Sequence, residues 1–325
     1  MSNARQLAAN LPREGGLSNR NLIINGAMQV AQRGTSSTAM GYQTVDRWGV
    51  SIGDGTATKS QSTDAPSGFA NSLSVVMTTA AGSITTYNYL HQYIEGNLID
   101  RLSFGTSNAK TITLSFYVKS SITGTWGGSI RNFVAAPATS YRSQSFLYTI
   151  DAANTWEHKT VTISGDTGGS GQWNTGSLGA MSLFFDMGSV GLTQATGSWL
   201  GNNCVGATGT QASFITTTNA TWQITGVQLE VGDTATPFEH RSYSDQLQAC
   251  QRFFQITSMG PYNAPMSDSY SRAYYNFPVR MRVAPSITFG TGGGGGITSY
   301  VDGIYVAAFN TGCSIGTGTK ADAEL

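Results

Sequence analysis

The sequence predicts an all-β protein: a jelly-roll-type β-sandwich over residues 21–241, one short connecting helix at 242–256, and a small β C-terminal module at 257–325. Three observations predict it. Strand signals recur between residues 21 and 240, with no long helical pattern competing. Forty glycines among many Ser and Thr mark frequent turns, while an aromatic content of 10% and regular apolar alternation oppose disorder. The stretch TWQITGVQLEVGDTATPFEHRSYSDQLQACQRFF (221–254) reads as strand, turn and helix in succession, so the sandwich ends there.

Residues 1–20 are small and polar. A short helix over Ser2–Ala9, stopped by Pro12, Gly15 and Gly16, would carry Leu7 and Leu11 as the only large apolar residues, too little to fold alone. Asn21–Ala31 reads as a strand kinked at Gly26, and Tyr42–Val50 as a second strand with Trp48 in the core. Short strands follow at 73–79 and 87–95. TITLSFYVK (111–119) alternates most cleanly: Ile112, Leu114, Phe116 and Val118 face one way, the polar residues and Tyr117 the other. WEHKTVTI (156–163) and MSLFFDM (181–187) come next. In the strand from 221, Trp222 and Ile224 share a face until Gly226, after which the phase moves to Val227 and Leu229, as at a β-bulge. Ser242 is placed to cap the helix with Asp245 three residues on, and Tyr243, Leu247, Cys250 and Phe254 fall on one helical face. Beyond it, FPVRMRV (277–283) alternates as a strand with Arg280 and Arg282 facing away from the apolar side, GTGGGGG (290–296) cannot hold a regular strand, and IYVAAF (304–309) is a further strand. So few large apolar residues make a poor independent core, so this module needs partners.

With 325 residues, 11% of them charged and a formal net charge of zero, the chain lacks the clustered Lys and Arg that phosphate binding demands, so nucleic acid is not expected as a partner. No apolar run reaches the length of a membrane span, and the start shows no secretory hydrophobic region. Cys204, Cys250 and Cys313 are odd in number and widely spaced, which fits reduced thiols and assembly in a cytoplasm; Cys250 reads as a small buried hydrophobe. No cofactor or metal is expected: GTGGGGG lacks the GK[ST] ending of a phosphate loop, and no Asp/Asn/Gly cluster has calcium-loop spacing. No catalytic constellation stands out. His91 and His158 read as half-exposed strand residues and His240 as a turn residue in local polar contact, GxSxG is missing, and no feature selects a pair among Asp151, Glu157, Asp166, Asp186 and Glu230. The adjacent Asp46 and Arg47 read as a bracing charge pair.

For binding, the candidates are aromatics beside glycines. Trp126 (TGTWGGS), Trp173 (GSGQWNTG) and Trp199 (TGSWLGNN) could offer an indole face to a sugar ring, or could fold back as lids on the core. Leu200 beside Trp199 favours the lid there, whereas Trp126 and Trp173 remain open between the two. Tyr141 and Arg142, in ATSYRSQ, complete the candidate ligand-binding set.

ITGVQLEVGDTATPFEHRS with LQACQRFF resembles a segment of tail-fibre proteins of tailed bacteriophages, where it closes a carbohydrate-binding-module-like β-sandwich. NLIINGAMQVAQRGT (21–35) and YQTVDRW (42–48) look like that family's opening strands, and FPVRMRVAPSITF (277–289) with ADAEL (321–325) like its distal module. The resemblance implies a structural virion protein, assembled in the host cytoplasm, that recognises host cell-surface polysaccharide. It further implies docking onto other virion proteins through residues 1–20 and a homotrimer held mainly by residues after 242. Two alternatives stay open: a purely structural capsid fibre or decoration protein, and a polysaccharide depolymerase.

Overall fold

The computed structural model describes residues 19–133, 140–169, 172–210, 214–256, 270–290, 296–309 and 318–324. The expected helix at Ser2–Ala9, most of the 1–20 arm, and Cys313 lie outside them. The chain divides into two compact units, residues 1–241 and 242–325.

The strands of the first unit are β1 (Ser36–Ser37), β2 (Gly49–Ile52), β3 (Thr56–Ser62), β4 (Ser72–Thr79), β5 (Asn88–Glu95), β6 (Ile112–Ser120), β7 (Gly124–Asn132), β8 (Ser143–Ile150), β9 (Glu157–Ile163), β10 (Gly179–Asp186), β11 (Thr193–Gln194), β12 (Gly206–Ala207) and β13 (Thr221–Val231). They build two facing antiparallel sheets, ordered β1-β3-β4-β13-β6-β9 and β2-β5-β10-β7-β8, with β11 and β12 paired separately. A single turn of helix, α1 (Gly96–Ile99), follows β5. The unit is thus an all-β sandwich, and alternation along the strands sends one apolar face of each sheet inward. Phe116 on β6 meets Phe185 on β10 edge to face, with ring centroids 5.0 Å apart. Trp48, Trp126 and Trp222 are all fully buried in the same core.

The bulge read at Gly226 is present: the β13–β6 register shifts between Thr225 and Gln228, Gly226 has φ 62°, and Val227 and Leu229 are buried. Residues 21–31 are not the expected strand. Asn25 and Met28 take left-handed φ values of 57° and 56°, and the Asn25 side chain bonds Val30 and Asp46 carbonyls, so the segment coils instead of extending. It still docks on β13 through Leu22 N to Leu229 O at 2.9 Å. Asp46 and Arg47 each also tie to other parts of the sandwich, with the Arg47 charge still acting on Asp46. Asp46 accepts from Gln32 and faces Arg33, while Arg47 donates to the Tyr93 carbonyl at 2.6 Å.

In the second unit, Ser242 caps α2 (Tyr243–Gln251) by accepting from Asp245 N at 3.1 Å. The helix is shorter than expected. Phe254 lies on the strand β14 (Phe254–Ile256), Tyr243 is 57% exposed, and Gln246 and Cys250 are the buried helical residues. The remaining strands are β15 (Tyr270–Asn276), β16 (Ser286–Thr288), β17 (Gly296–Ser299), β18 (Gly303–Phe309) and β19 (Lys320–Asp322), in sheets β14-β19-β16 and β15-β18-β17. Residues 277–283 do not form the expected strand. Phe277 N and Met281 N, four residues apart, donate to the carbonyls of adjacent residues, Asp302 and Val301, which no ladder produces, and Pro278 interrupts the segment. Arg282 donates to the Ala323 carbonyl at 2.7 Å rather than pointing away. Phe277, Met281, Ile304, Val306, Ala321 and Ala323 make a small core.

Candidate functional site

The four residues singled out from the sequence separate into three places. Trp126 sits on β7, not in a loop, with 0% exposure, and packs near Phe214 and Trp222 at centroid distances of 5.9 and 6.4 Å. Its glycine neighbours serve close packing: a Cβ on Gly128 would lie 2.4 Å from the Phe146 ring, and one on Gly127 2.3 Å from Thr210 Oγ1. Both faces of this indole are therefore spent on the core, and the stacking role expected for it is corrected.

Trp173 and Arg142 come together at one margin of the sandwich, around a fully buried carboxylate. Arg142 Nε donates to Asp166 Oδ2 at 3.0 Å and its Nη2 to Oδ1, making a two-point pair. Trp173 Nε1 donates to Asp166 Oδ2 at 3.1 Å, and Gly168 N to Oδ1 at 3.1 Å. The half-buried Trp173 ring meets Phe104 at 4.9 Å and Trp199 at 5.6 Å, both edge to face, and Trp199 Nε1 donates to the Ser164 carbonyl at 2.7 Å. The Asp166 carboxylate, the Trp173 and Trp199 indole N–H groups and the Nε and Nη2 of Arg142 are all engaged within this cluster. It ties the segments after β9 and before β8 together.

Tyr141 leads to a different surface, the outer face of the five-stranded sheet. On β5, Leu90 and Ile94 point to the core, so Tyr89, His91 and Tyr93 point outward. The register sets Phe184 of β10 beside His91, and Ser182 between Tyr93 and Arg131 of β7. The rings interlock: His91 lies 4.5 Å from Tyr93, 5.3 Å from Tyr89, 5.4 Å from Tyr42 and 6.0 Å from Phe184, and Tyr93 lies 5.1 Å from Phe133. Gly49 makes room for this packing, since a Cβ there would stand 2.3 Å from His91 Cε1. Phe184 forms the buried floor, while Tyr42, Tyr89, Tyr93, Phe133 and Tyr141 are half-buried and Tyr87, next on the same alternation, is 47% exposed. The Arg131 guanidinium lies between Phe184 and Tyr141, 4.8 and 5.3 Å from the ring centroids, and Nη1 donates to the Asn203 side-chain oxygen.

Burial and the nearby positive charges of Arg47 and Arg131 hold the His91 pKa down to about 3, so the imidazole is neutral at ordinary pH. Burial also pushes the Tyr93 hydroxyl up to about 12, keeping it a neutral donor. The segment 193–210 seals the β7–β8 side of this face. Ser129 Oγ donates to Cys204 O at 2.8 Å, Ser143 Oγ to Asn202 O at 2.7 Å, and a Cβ on Gly206 would meet Asp186 Oδ2 at 2.2 Å. Among the described residues, no such segment seals the β5 side, where Tyr89 and Tyr93 are half-buried. Sequence reasoning missed this face and misplaced His91, which is 5% exposed rather than half-exposed. The signal was the run Tyr87, Tyr89, His91, Tyr93 at alternate positions.

Fold and face together define a two-sheet β-sandwich with a half-buried aromatic outer surface. No protein-family model matches the sequence, and neither does any curated protein. Among solved structures, the chain is similar to the enzymatically active domain of bacteriophage CBA120 tailspike protein 4, at 14% identity and TM-score 0.37, over 68% of this chain and 24% of that one. The match thus spans about a quarter of the tailspike chain's length. It is also similar to a putative sugar binding protein from Bacteroides thetaiotaomicron, at 13% identity and TM-score 0.37, over 65% of this chain and all of that one. A third likeness is to the CBM22-1 xylan-binding domain of Paenibacillus barcinonensis Xyn10C, at 11% identity and TM-score 0.32, over 62% of this chain and 94% of that one. At such scores the likenesses carry no argument about ligand or site.

Proposed function

We propose that the protein is a non-catalytic polysaccharide-binding component of a tailed-phage appendage, and that the outer face of the β2-β5-β10-β7-β8 sheet is its receptor site. The observation that carries the binding reading is the Tyr89–His91–Tyr93–Phe184 cluster. It places large half-buried rings on the outside of a sandwich whose core is already filled, and a flat aromatic surface stacks on the C–H side of a sugar ring. The Tyr93 hydroxyl adds a hydrogen-bonding group suited to sugar hydroxyls, while buried His91 backs the tyrosine rings from beneath. The virion setting, with assembly in the host cytoplasm, rests on the tail-fibre resemblance of residues 21–35, 42–48, 221–254, 277–289 and 321–325. In the same reading residues 1–20 dock onto a virion protein and the chain is a homotrimer joined through residues 242–325. The small core of that unit and the exposure of Tyr243, Ile256, Tyr274, Ile297 and Tyr300 support an association there. Weak single sites would then gain through multivalency. A glycan array probed with the full chain tests the function: binding to a bacterial surface polysaccharide is expected, and no binding to any of them refutes it.

A further inference from the structure

The charge distribution of the aromatic face narrows the class of glycan. Arg131 is half-buried, and its Nε is buried without a hydrogen-bond partner. Among the described residues, its one side-chain hydrogen bond runs from Nη1 to the amide oxygen of Asn203, and no carboxylate lies within 4 Å of it. Stacking between Phe184 and Tyr141 fixes the guanidinium plane and leaves the rest of its donor edge uncommitted. Other charges nearby do not neutralise it. Of the acids on the same sheet face, Glu95, two residues beyond Tyr93, is fully buried, and Asp186 is buried under Gly206 and held by the backbone N–H groups of Gly188 and Ser189 at 3.0 and 2.8 Å. Arg33, over the Tyr42 ring, is already opposite Asp46. A chain of zero net charge therefore has one sheet face with a desolvated cation whose counter-charge the protein does not supply.

We infer that the ligand is an acidic polysaccharide, one with a carboxylate on its sugar rings, and that Arg131 binds that carboxylate while Tyr89 and Tyr93 hold a neighbouring ring. This rests on the aromatic face being the glycan site. A planar guanidinium matches a carboxylate at two points, and such charge-assisted bonds are the strong ones.

The test uses the full chain against alginate, hyaluronan and polygalacturonate, each beside its carboxyl-reduced form, with dextran as a neutral polymer. Binding is expected to at least one acidic polymer and to fall about tenfold or more on carboxyl reduction. Arg131→Gln should remove that preference and flatten its salt dependence, whereas Arg131→Lys should keep part of both. Circular dichroism confirms that each variant is folded. Equal binding to native and carboxyl-reduced polymer, or full acidic-polymer binding by a folded Arg131→Gln, overturns the inference and leaves the aromatic site standing. Acidic-polymer binding that survives Tyr89→Ala/Tyr93→Ala overturns the aromatic site, and the inference with it.

Discussion

Replacing Trp126 by alanine distinguishes a core residue from a ligand platform. The indole is fully buried between the sheets, so its removal forfeits burial and leaves a cavity walled by Phe214 and Trp222. Truncations of this kind cost roughly 3–5 kcal/mol. One term acts the other way: Nε1 of Trp126 is buried without a hydrogen-bond partner, and an unpaired buried donor costs about 1–3 kcal/mol, which the substitution removes. The expected net loss is therefore about 2 kcal/mol. For a unit of this size, a Tm drop of ~4–8 °C follows. Trp126→Phe keeps most of the ring and discards the orphan N–H, so it should cost under about 1.5 kcal/mol. The assay is thermal unfolding followed by circular dichroism, with polysaccharide binding measured well below each Tm. An unchanged Tm together with lost binding in Trp126→Ala would refute the core assignment and restore Trp126 as a ligand contact.

Further expected outcomes each have a direct measurement. Gly49→Ala places a methyl group 2.3 Å from His91 Cε1, so it should displace that ring and weaken polysaccharide binding without touching the exposed surface; unchanged binding in a titration would contradict the packing argument. Trp173→Ala should lower Tm by several degrees yet leave binding intact, because its ring packs on Phe104 and Trp199 and its N–H serves Asp166. His91, with its pKa held near 3 against an ordinary value of 6.5, refuses a proton that the unfolded chain accepts. Stability should thus be unaffected by it above about pH 6.5 and fall as pH drops from there toward 3, by at most a few kcal/mol, and His91→Phe should flatten that limb of a urea-denaturation pH series. Asp54, lowered by bonds from Asn88 and Thr85, adds acid loss below roughly pH 4, whereas Asp46 and Asp186, raised by burial, work the other way. A chain ending at Arg241 should be monomeric in light scattering while the full chain is trimeric; a truncated trimer would place the interface elsewhere.

Much of the sandwich was legible in the sequence, and where it was not the reasons are local. Strand β6 declared itself because one of its faces is uniformly apolar, and the bulge in β13 because a glycine separates two apolar phases. Strand β7 was hidden: GTWGGSIRN reads as a loop, although its glycines are what allow Phe146 and Thr210 to press against the sheet. Residues 21–31 alternate like a strand, but the side chains of Asn21 and Asn25 compete for the backbone and coil it. The aromatic face was half legible. β5 has apolar residues on both sides, Leu90 and Ile94 against Tyr89, His91 and Tyr93, and which side is inside depends on the opposing sheet. Arg131 gave no local signal, because its significance lies in Phe184 and Tyr141, neighbours that only the fold supplies.

The most direct test of the central claim is a binding isotherm of the full chain and its Tyr89→Ala/Tyr93→Ala variant against the bacterial surface polysaccharide that the native chain binds on an array. The two tyrosines are half-buried on the outer face, so the variant should keep its fold and most of its Tm but lose binding about tenfold or more, since each ring–ligand stack is worth roughly 1 kcal/mol or above. Unaltered affinity in a folded variant would contradict the assignment of the receptor site to this face.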